Sequence, residues 1–324
     1  MAANKIELLQ TGPVPPFVEE QLDDLFTVHR LHKAADREAL LKEIAPRVSA
    51  IATFGAVPVD AALMQKLPKL EVVGNFGVGY DSVDAKWAGE HGIVVTNTPG
   101  VLDEEVADTT IGLLINTVRQ LPQSERYLRA GRWLAKPFPL SPTLRNRTVG
   151  IVGMGRIGQA IARRIEAMGL PIVYHSRNQA AGVAYRHYPK LIDMAREVDV
   201  LIAIVPGGAA TKNMINREVL EALGPNGVLI NVARGSVVDE QALIEALRTK
   251  KILSAGLDVF ADEPRVPKEL IEMDHVVLVP HVGSASVETR RAMGQLVVDN
   301  LKSWAAGKGP ITPVPETPWP PKRG

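Results

Sequence analysis

Along residues 1–100, short aliphatic and β-branched runs alternate with stretches of helical spacing. KIELLQ, TVHRL, AIATFG, LEVVGNF and IVVTN have the character of strands. Between them, VEEQLDDLF, DREALLKEIAP and DAALMQKL place apolar residues three and four apart, as amphipathic helices do. Such alternation predicts βαβ units on a parallel sheet. Residues 102–120, LDEEVADTTIGLLINTVRQ, predict a long helix whose first turn carries the acids a helix N-terminus prefers. SPTLRNR (141–147) is polar and turn-like. A second series begins at TVGIVGMGRIGQAIARRIEAMG and continues through PIVYHS, VDVLIAIV, GVLINVA, LSAGLDVF and VVLVPHV. A last helix over 287–306 returns the chain to its first half, and the tail from Gly309 is rich in Pro and expected to be irregular. The pattern predicts an α/β protein of two doubly wound parallel-sheet domains around a cleft. One comprises residues 1–100 and 286–324, and the other, residues 101–285, is inserted into it.

Composition narrows the function classes. Of 324 residues, 46% are apolar and 23% charged, which is ordinary for a globular protein. The 37 basic and 36 acidic residues are well mixed, so no basic block offers itself to nucleic acid or to a membrane surface. With no cysteine, disulfides, Cys-ligated zinc and thiol catalysis are excluded, and no metal is expected. Apolar runs such as VVLVP are too short to span a bilayer, and MAANKIELLQTG lacks the apolar core of a secretory signal. A cytoplasmic location is the expectation.

TVGIVGMGRIG (148–158) satisfies G-x-G-x-x-G at Gly153, Gly155 and Gly158. The pattern is weak alone, but here an apolar strand precedes it and the amphipathic AIARRIEAM follows. In that context Gly153 permits a tight turn, Gly155 lets the backbone approach a pyrophosphate, and Gly158 allows close helix–strand packing. A bound dinucleotide is expected. The acid that closes the next strand in NAD sites, where it binds the ribose diol, is absent from IVYHSRN; Ser176 and Arg177 stand there instead. An acid would repel a 2′-phosphate, whereas a hydroxyl and a guanidinium attract one. NADP(H) is therefore expected over NAD(H), with Asn178 as a further neighbour.

Three later strand ends share the edge at which open α/β sheets bind ligands: NVARGSVVDE with Arg234, LDVFADEP with Asp258 and Glu263, and PHVGSAS with His281. An Arg, an acid and a His beside a dinucleotide suit carbonyl reduction. Arg holds a carboxylate and polarises the carbonyl, His gives a proton, and an adjacent carboxylate favours the imidazolium. His29, His32, His91, His175, His187 and His275 lack such company and are expected to be structural or exposed. GVGYD (77–81) makes a Gly turn whose backbone N–H groups can form an anion site, with Asn75 and Phe76 as possible pocket lining.

Together, NFGVGYD, TNTPGVLDEEVAD, VGIVGMGRIG, INVARGSVVDE, GLDVFADEP and PHVGSAS resemble the D-isomer-specific 2-hydroxyacid dehydrogenases along nearly the whole chain. Within that family the resemblance is nearest to NADPH-preferring glyoxylate/hydroxypyruvate reductases, a group that includes hydroxyphenylpyruvate reductases. It implies a flavodoxin-like substrate domain and an inserted Rossmann domain. It gives Arg234 to substrate binding, Glu263 and His281 to the catalytic pair, and Val78 and Gly79 to the substrate carboxylate opposite Arg234. It implies that Asp258 contacts the nicotinamide carboxamide and that Thr110 approaches the cofactor. Arg156, Ile157, Val205, Pro206, Val232, Ala233 and Gly283, with Arg234 and His281, complete the implied cofactor shell. The segment near 119–140 is implied to be a dimerisation arm of a homodimer, with Trp133 either reaching the partner's substrate site or packing in the interface. The implied reaction is NADPH-dependent reduction of glyoxylate and hydroxypyruvate, with His281 as proton donor. Alternatives are a bulkier 2-keto acid such as hydroxyphenylpyruvate, an NAD-dependent D-2-hydroxyacid dehydrogenase, which Ser176 and Arg177 oppose, and a dinucleotide-sensing corepressor.

Overall fold

Continuous apolar runs become parallel strands in this chain because both faces of each sheet are covered. The computed structural model describes residues 5–54 and 57–321. Residues 1–4 of the N-terminal stretch, Gly55 of AIATFG and the terminal Gly324 lie outside the described residues. The chain divides into two units, Met1–Leu102 with Val287–Gly324, and Asp103–Ser286.

In the first unit, β1 (Glu7–Gln10), α1 (Pro16–Leu25), β2 (Thr27–Arg30), α2 (Arg37–Ile44), β3 (Val48–Phe54), α3 (Ala61–Gln65), β4 (Val72–Phe76), α4 (Ala85–Glu90) and β5 (Val94–Thr96) follow in sequence. The strands form a parallel sheet in the order β2-β1-β3-β4-β5. In β3, Ile51 joins one core with Leu9 and Val73, while Ala50, Ala52 and Phe54 join the other with Leu8 and Val72. Asp36, Asp60 and Asp84 cap α2, α3 and α4, each carboxylate accepting a backbone N–H at 2.9–3.0 Å. The hydrophobic pattern does not signal α4, because six residues including Gly89 are too few to show a period.

The second unit begins with α5 (Asp103–Arg119) and α6 (Leu121–Arg129). It continues through β6 (Val149–Val152), α7 (Arg156–Ala167), β7 (Ile172–His175), β8 (Arg186–Tyr188), α8 (Leu191–Ala195) and β9 (Val200–Ala203). Then come α9 (Arg217–Leu223), β10 (Val228–Asn231), α10 (Glu240–Arg248), β11 (Ser254–Leu257), α11 (Lys268–Glu272) and β12 (Val277–Leu278). Its seven parallel strands run β12-β11-β10-β9-β6-β7-β8. Strand order reverses beside β6, which is the switch point at which doubly wound sheets open a ligand crevice at their C-terminal edge. The two edge strands are slight: β8, which the sequence pattern does not signal, buries only Tyr188, and of the apolar run VVLVPHV only two residues form β12. The acids that open α5 also tie it to α7, where Glu104 pairs with Arg163 and Arg164, and Asp108 with Arg164. Helix α12 (Val287–Ala305) returns to the first unit, where Val297 and Leu301 pack in the core with Val72. Among the described residues, no helix is long and apolar enough to cross a membrane.

Candidate active site

Because all seven strands of the second unit are parallel, their C-terminal ends share one edge. Gly153 follows β6, Ser176 and Arg177 follow β7, Val205 and Pro206 follow β9, Val232 to Arg234 follow β10, Asp258 follows β11, and His281 follows β12.

The glycines divide their work as their surroundings require. Gly153 has a φ of +106°, and a Cβ there would overlap the Ile204 carbonyl. At Gly158 a Cβ would overlap the Gly153 carbonyl, so only hydrogen lets α7 approach the loop. Gly155 is different. A Cβ there would meet nothing within 4 Å, and Gly155 forms the N-cap of α7 without a side-chain cap. An open backbone at a helix N-terminus fits a pyrophosphate. Arg156 is exposed at the first position of α7, and Ile157 is half-buried behind it.

After β7, Ser176 is half-buried, whereas Arg177 and Asn178 are exposed. The Ser176 hydroxyl donates to the Asn178 carbonyl at 2.6 Å, and the Ser176 carbonyl faces His187 Nε2 at 3.0 Å. Val205 and Pro206 edge the neighbouring loop, where the Pro206 carbonyl accepts from the Thr211 hydroxyl at 2.6 Å. Thr110 is fully buried in α5, its hydroxyl donating to the Val106 carbonyl at 2.6 Å.

The loops that carry Arg234, Glu263 and His281 are braced by residues the hydrophobic pattern does not mark. Asn231, buried at the end of β10, accepts from the Ala233 N–H and donates to the Arg234 carbonyl, each at 3.1 Å. Val232 and Ala233 are buried in that turn, and Arg234 Nη1 donates to the Ala233 carbonyl at 2.8 Å. A Cβ on Gly235 would overlap the Phe260 backbone, so glycine lets the Arg234 loop lie against the loop that holds Glu263. Asp258 is 2% exposed and clamps the chain after β12, accepting from the N–H groups of Val282 at 2.6 Å and Gly283 at 2.8 Å. Burial pushes its carboxyl above the ordinary range, against the pull of those two N–H groups. The clamp accompanies a positive φ of 52° at His281, whose N–H donates to the Asp258 carbonyl at 2.9 Å.

His281 Nδ1 lies 2.6 Å from Glu263 Oε2, and Glu263 Oε1 accepts from the Phe260 N–H at 3.1 Å. Burial works to raise the Glu263 carboxyl. The hydrogen bond with His281, the Phe260 N–H, and the charges of His281 and Arg234 outweigh it and hold the group below its ordinary value. An ionised Glu263 can only accept, so Nδ1 carries a hydrogen and Nε2 is the ring nitrogen outside this pair.

In the first unit, the turn after β4 has an ordered set of carbonyl tethers. Asn75 Nδ2 donates to the carbonyls of Gly77 at 3.2 Å and Gly79 at 3.1 Å, and the Thr98 N–H donates to Gly77 at 2.9 Å. Asn97 Nδ2 donates to the Val78 carbonyl at 2.9 Å. In a trans peptide the C=O and the following N–H point in opposite directions. Fixing the Gly77 and Val78 carbonyls therefore turns the N–H groups of Val78 and Gly79 the other way, an arrangement chemically suited to an anion. Asn75 acts here by bracing the turn from a buried position, and Asn97 was signalled only by its place in TNTPG.

In the segment after α6, Tyr127 packs edge-on against Phe138 at 5.4 Å, and its hydroxyl donates to the Lys136 carbonyl. Around that anchor, Trp133 is 66% exposed, Leu134 95% and Leu140 100%. A groove of about 440 Å³ lies between α5, α6 and β12, lined by Leu113, Pro122, Val277 and Val279 among others. The remaining histidines hold structural contacts with Glu7, Trp87, Tyr188 and Ser176, apart from His32, whose buried ring nitrogens have no partner, and His275.

A family model described as the NAD binding domain of D-isomer specific 2-hydroxyacid dehydrogenases matches residues 111–283. The chain is 43% identical over 309 residues to a glyoxylate/hydroxypyruvate reductase A of Arabidopsis thaliana, covering 95% of this chain and 99% of that protein. It is 42% identical, with the same coverage, to a hydroxyphenylpyruvate reductase of Plectranthus scutellarioides. Among solved structures, an NADPH-dependent glyoxylate/hydroxypyruvate reductase of Sinorhizobium meliloti, in complex with NADP and malonate, superposes with a TM-score of 0.92. That protein is 52% identical, and the match covers 99% of this chain and 100% of the other.

Proposed function

The chain belongs to the D-isomer-specific 2-hydroxyacid dehydrogenase family, and from that premise we propose that it is an NADPH-dependent reductase of glyoxylate and hydroxypyruvate. The observation that carries the reading is the His281–Glu263 pair at 2.6 Å, on the sheet edge that also bears Arg234 and the open glycine loop. NADPH, when bound, supplies the hydride that adds to the C2 carbonyl carbon. Gly153, Gly155, Arg156, Ile157 and Gly158 would hold its pyrophosphate, and Ser176, Arg177 and Asn178 its 2′-phosphate. Thr110, Val205, Pro206, Val232, Ala233, Asp258 and Gly283 would form the rest of its shell. Asp258 also positions His281 through the clamp on Val282 and Gly283.

Each remaining role belongs to this chain's own residues. Arg234 binds the substrate carboxylate and polarises the carbonyl through charge-assisted hydrogen bonds. Val78 and Gly79, by the family resemblance, offer backbone N–H groups to a substrate carboxylate. His281, with both ring nitrogens protonated, donates its Nε2 proton to the carbonyl oxygen as the alcohol forms, while Glu263 keeps the Nδ1 hydrogen and holds the ring in place. The bulkier reading stays in play because the Plectranthus relative, named for hydroxyphenylpyruvate, is nearly as similar as the Arabidopsis one. A panel of glyoxylate, hydroxypyruvate, pyruvate and phenylpyruvate, each with NADPH and with NADH, tests the proposal. The highest kcat/KM is expected for glyoxylate or hydroxypyruvate with NADPH. Preference for phenylpyruvate would move the reading to the aromatic substrate, and tight NADPH binding without turnover would favour a sensor.

The same reading includes a homodimer. Leu134 and Leu140 are almost wholly exposed on an arm anchored by Tyr127, and apolar side chains so presented call for a partner surface. The arm and the groove beside α6 support a symmetric contact in which Trp133 takes part. Sedimentation is expected to give twice the mass of the 35.0 kDa chain, and the double variant Leu134→Asp, Leu140→Asp to give the single mass.

A further inference from the structure

The C-terminal tail is irregular, as its Pro content leads one to expect, yet it is hydrogen-bonded to α12, to β5 and to the loop after β5. Thr312 sits at its centre. The Thr312 hydroxyl accepts from Asn300 Nδ2 at 2.9 Å and donates to the Asn97 carbonyl at 2.6 Å. Its carbonyl accepts from the Asn97 N–H at 3.3 Å. Asn300, fully buried in α12, uses Oδ1 to accept from the N–H groups of Ile311 and Thr312, both at 2.8 Å. The tail is also pinned on β5, where the Val314 N–H donates to the Val95 carbonyl at 2.9 Å and the Val95 N–H to the Thr317 hydroxyl at 2.8 Å. Farther along, Glu316 accepts from the Tyr80 hydroxyl at 2.9 Å, and a Cβ on Gly89 would overlap the Glu316 carbonyl, so α4 is cut to seat this segment.

Two of the tail's partners flank the turn of Val78 and Gly79. Asn97 is the side chain that holds the Val78 carbonyl, and Tyr80 follows Gly79 directly. Burial, then Glu316, pushes the Tyr80 phenol up to about 12, so its hydroxyl remains a donor throughout the neutral range. We propose that the tail is a positioning device for substrate binding: Asn300 and Thr312 fix Asn97, and Asn97 fixes the peptide that aims the Gly79 N–H. This rests on the reading of Val78 and Gly79 as the carboxylate site. Thr312 touches no reacting atom and acts through Asn97.

A residue that only aims a ground-state carboxylate contact should change KM and leave kcat in place. Thr312→Val removes the hydroxyl at both of its contacts. It is expected to raise the glyoxylate KM about three- to tenfold, the range set by one net hydrogen bond, with kcat and the NADPH Kd unchanged. Thr312→Ser should restore the wild-type KM. Asn97→Ala, which removes the direct tether, should raise KM at least as much. A KM raised by Asn97→Ala but not by Thr312→Val would overturn the tail's role and leave the carboxylate site standing. If neither variant moves KM, both fall. Should Thr312→Val fail to fold, Thr312→Ala carries the same test, and an unchanged KM in it overturns the proposal. A parallel rise in NADPH Kd would also overturn it, since that marks general loosening.

Discussion

Replacing His281 with asparagine is expected to lower kcat for glyoxylate about 10²- to 10⁴-fold, the usual contribution of a positioned general acid. NADPH binding should stay within a few-fold of wild type. Asparagine is the sharper substitution because His281 has a φ of 52°. Asn tolerates the left-handed region, whereas alanine would add backbone strain to the loss of the acid. Asn also cannot donate a proton at a matched pKa. The comparison of Asn and Ala variants therefore separates chemistry from loop geometry. If both lose kcat equally, the imidazole is what matters; near-normal turnover in His281→Asn would remove it from the proton step.

Glu263 gives that expectation a pH dimension. Its folded pKa is depressed, so it contributes to the folded state above the unfolded carboxyl pKa, and the contribution is lost as pH falls through the folded value. Across the neutral range Glu263 thus remains an acceptor, and Nδ1 keeps its hydrogen. Any loss of activity that comes from breaking this pair should appear only on the acid side, below the ordinary carboxyl range.

Motifs and strand runs were legible in the sequence to different depths. TVGIVGMGRIG could be read because an apolar strand, a fixed glycine spacing and an amphipathic helix all point to one loop. The long helix from Asp103 and the run of parallel strands were equally plain, since both follow from periodicity. The braces were not. Asn231 and Asn97 act through one or two side-chain hydrogen bonds and Gly235 through a missing Cβ, and such contacts have no period along the chain. Strand β8 is hidden for a related reason: an edge strand with one buried residue has no alternation to display. Asp258 shows the same limit. Its place after β11 marks it as a site residue, but only the structure shows both oxygens committed to the backbone after β12.

Arg177→Ala is expected to weaken NADPH binding about ten- to hundredfold, corresponding to a charged hydrogen bond of about 1.5–3 kcal/mol, and to leave NADH binding nearly unchanged. The two cofactors differ only in the 2′-phosphate, so a residue that faced the shared pyrophosphate would weaken both alike. Arg177 is exposed and makes no hydrogen bond or ion pair with the described residues, so its removal should cost the fold little. Ser176 should matter less. Its hydroxyl proton is already engaged by the Asn178 carbonyl at 2.6 Å, and a phosphate must compete for it. Because the Arg177 contact is exposed, added salt should narrow the wild-type preference for NADPH and leave the variant's nearly flat. Titration of both proteins with both cofactors, at low and high ionic strength, measures these differences directly. Retained NADPH affinity in Arg177→Ala would shift discrimination away from the end of β7.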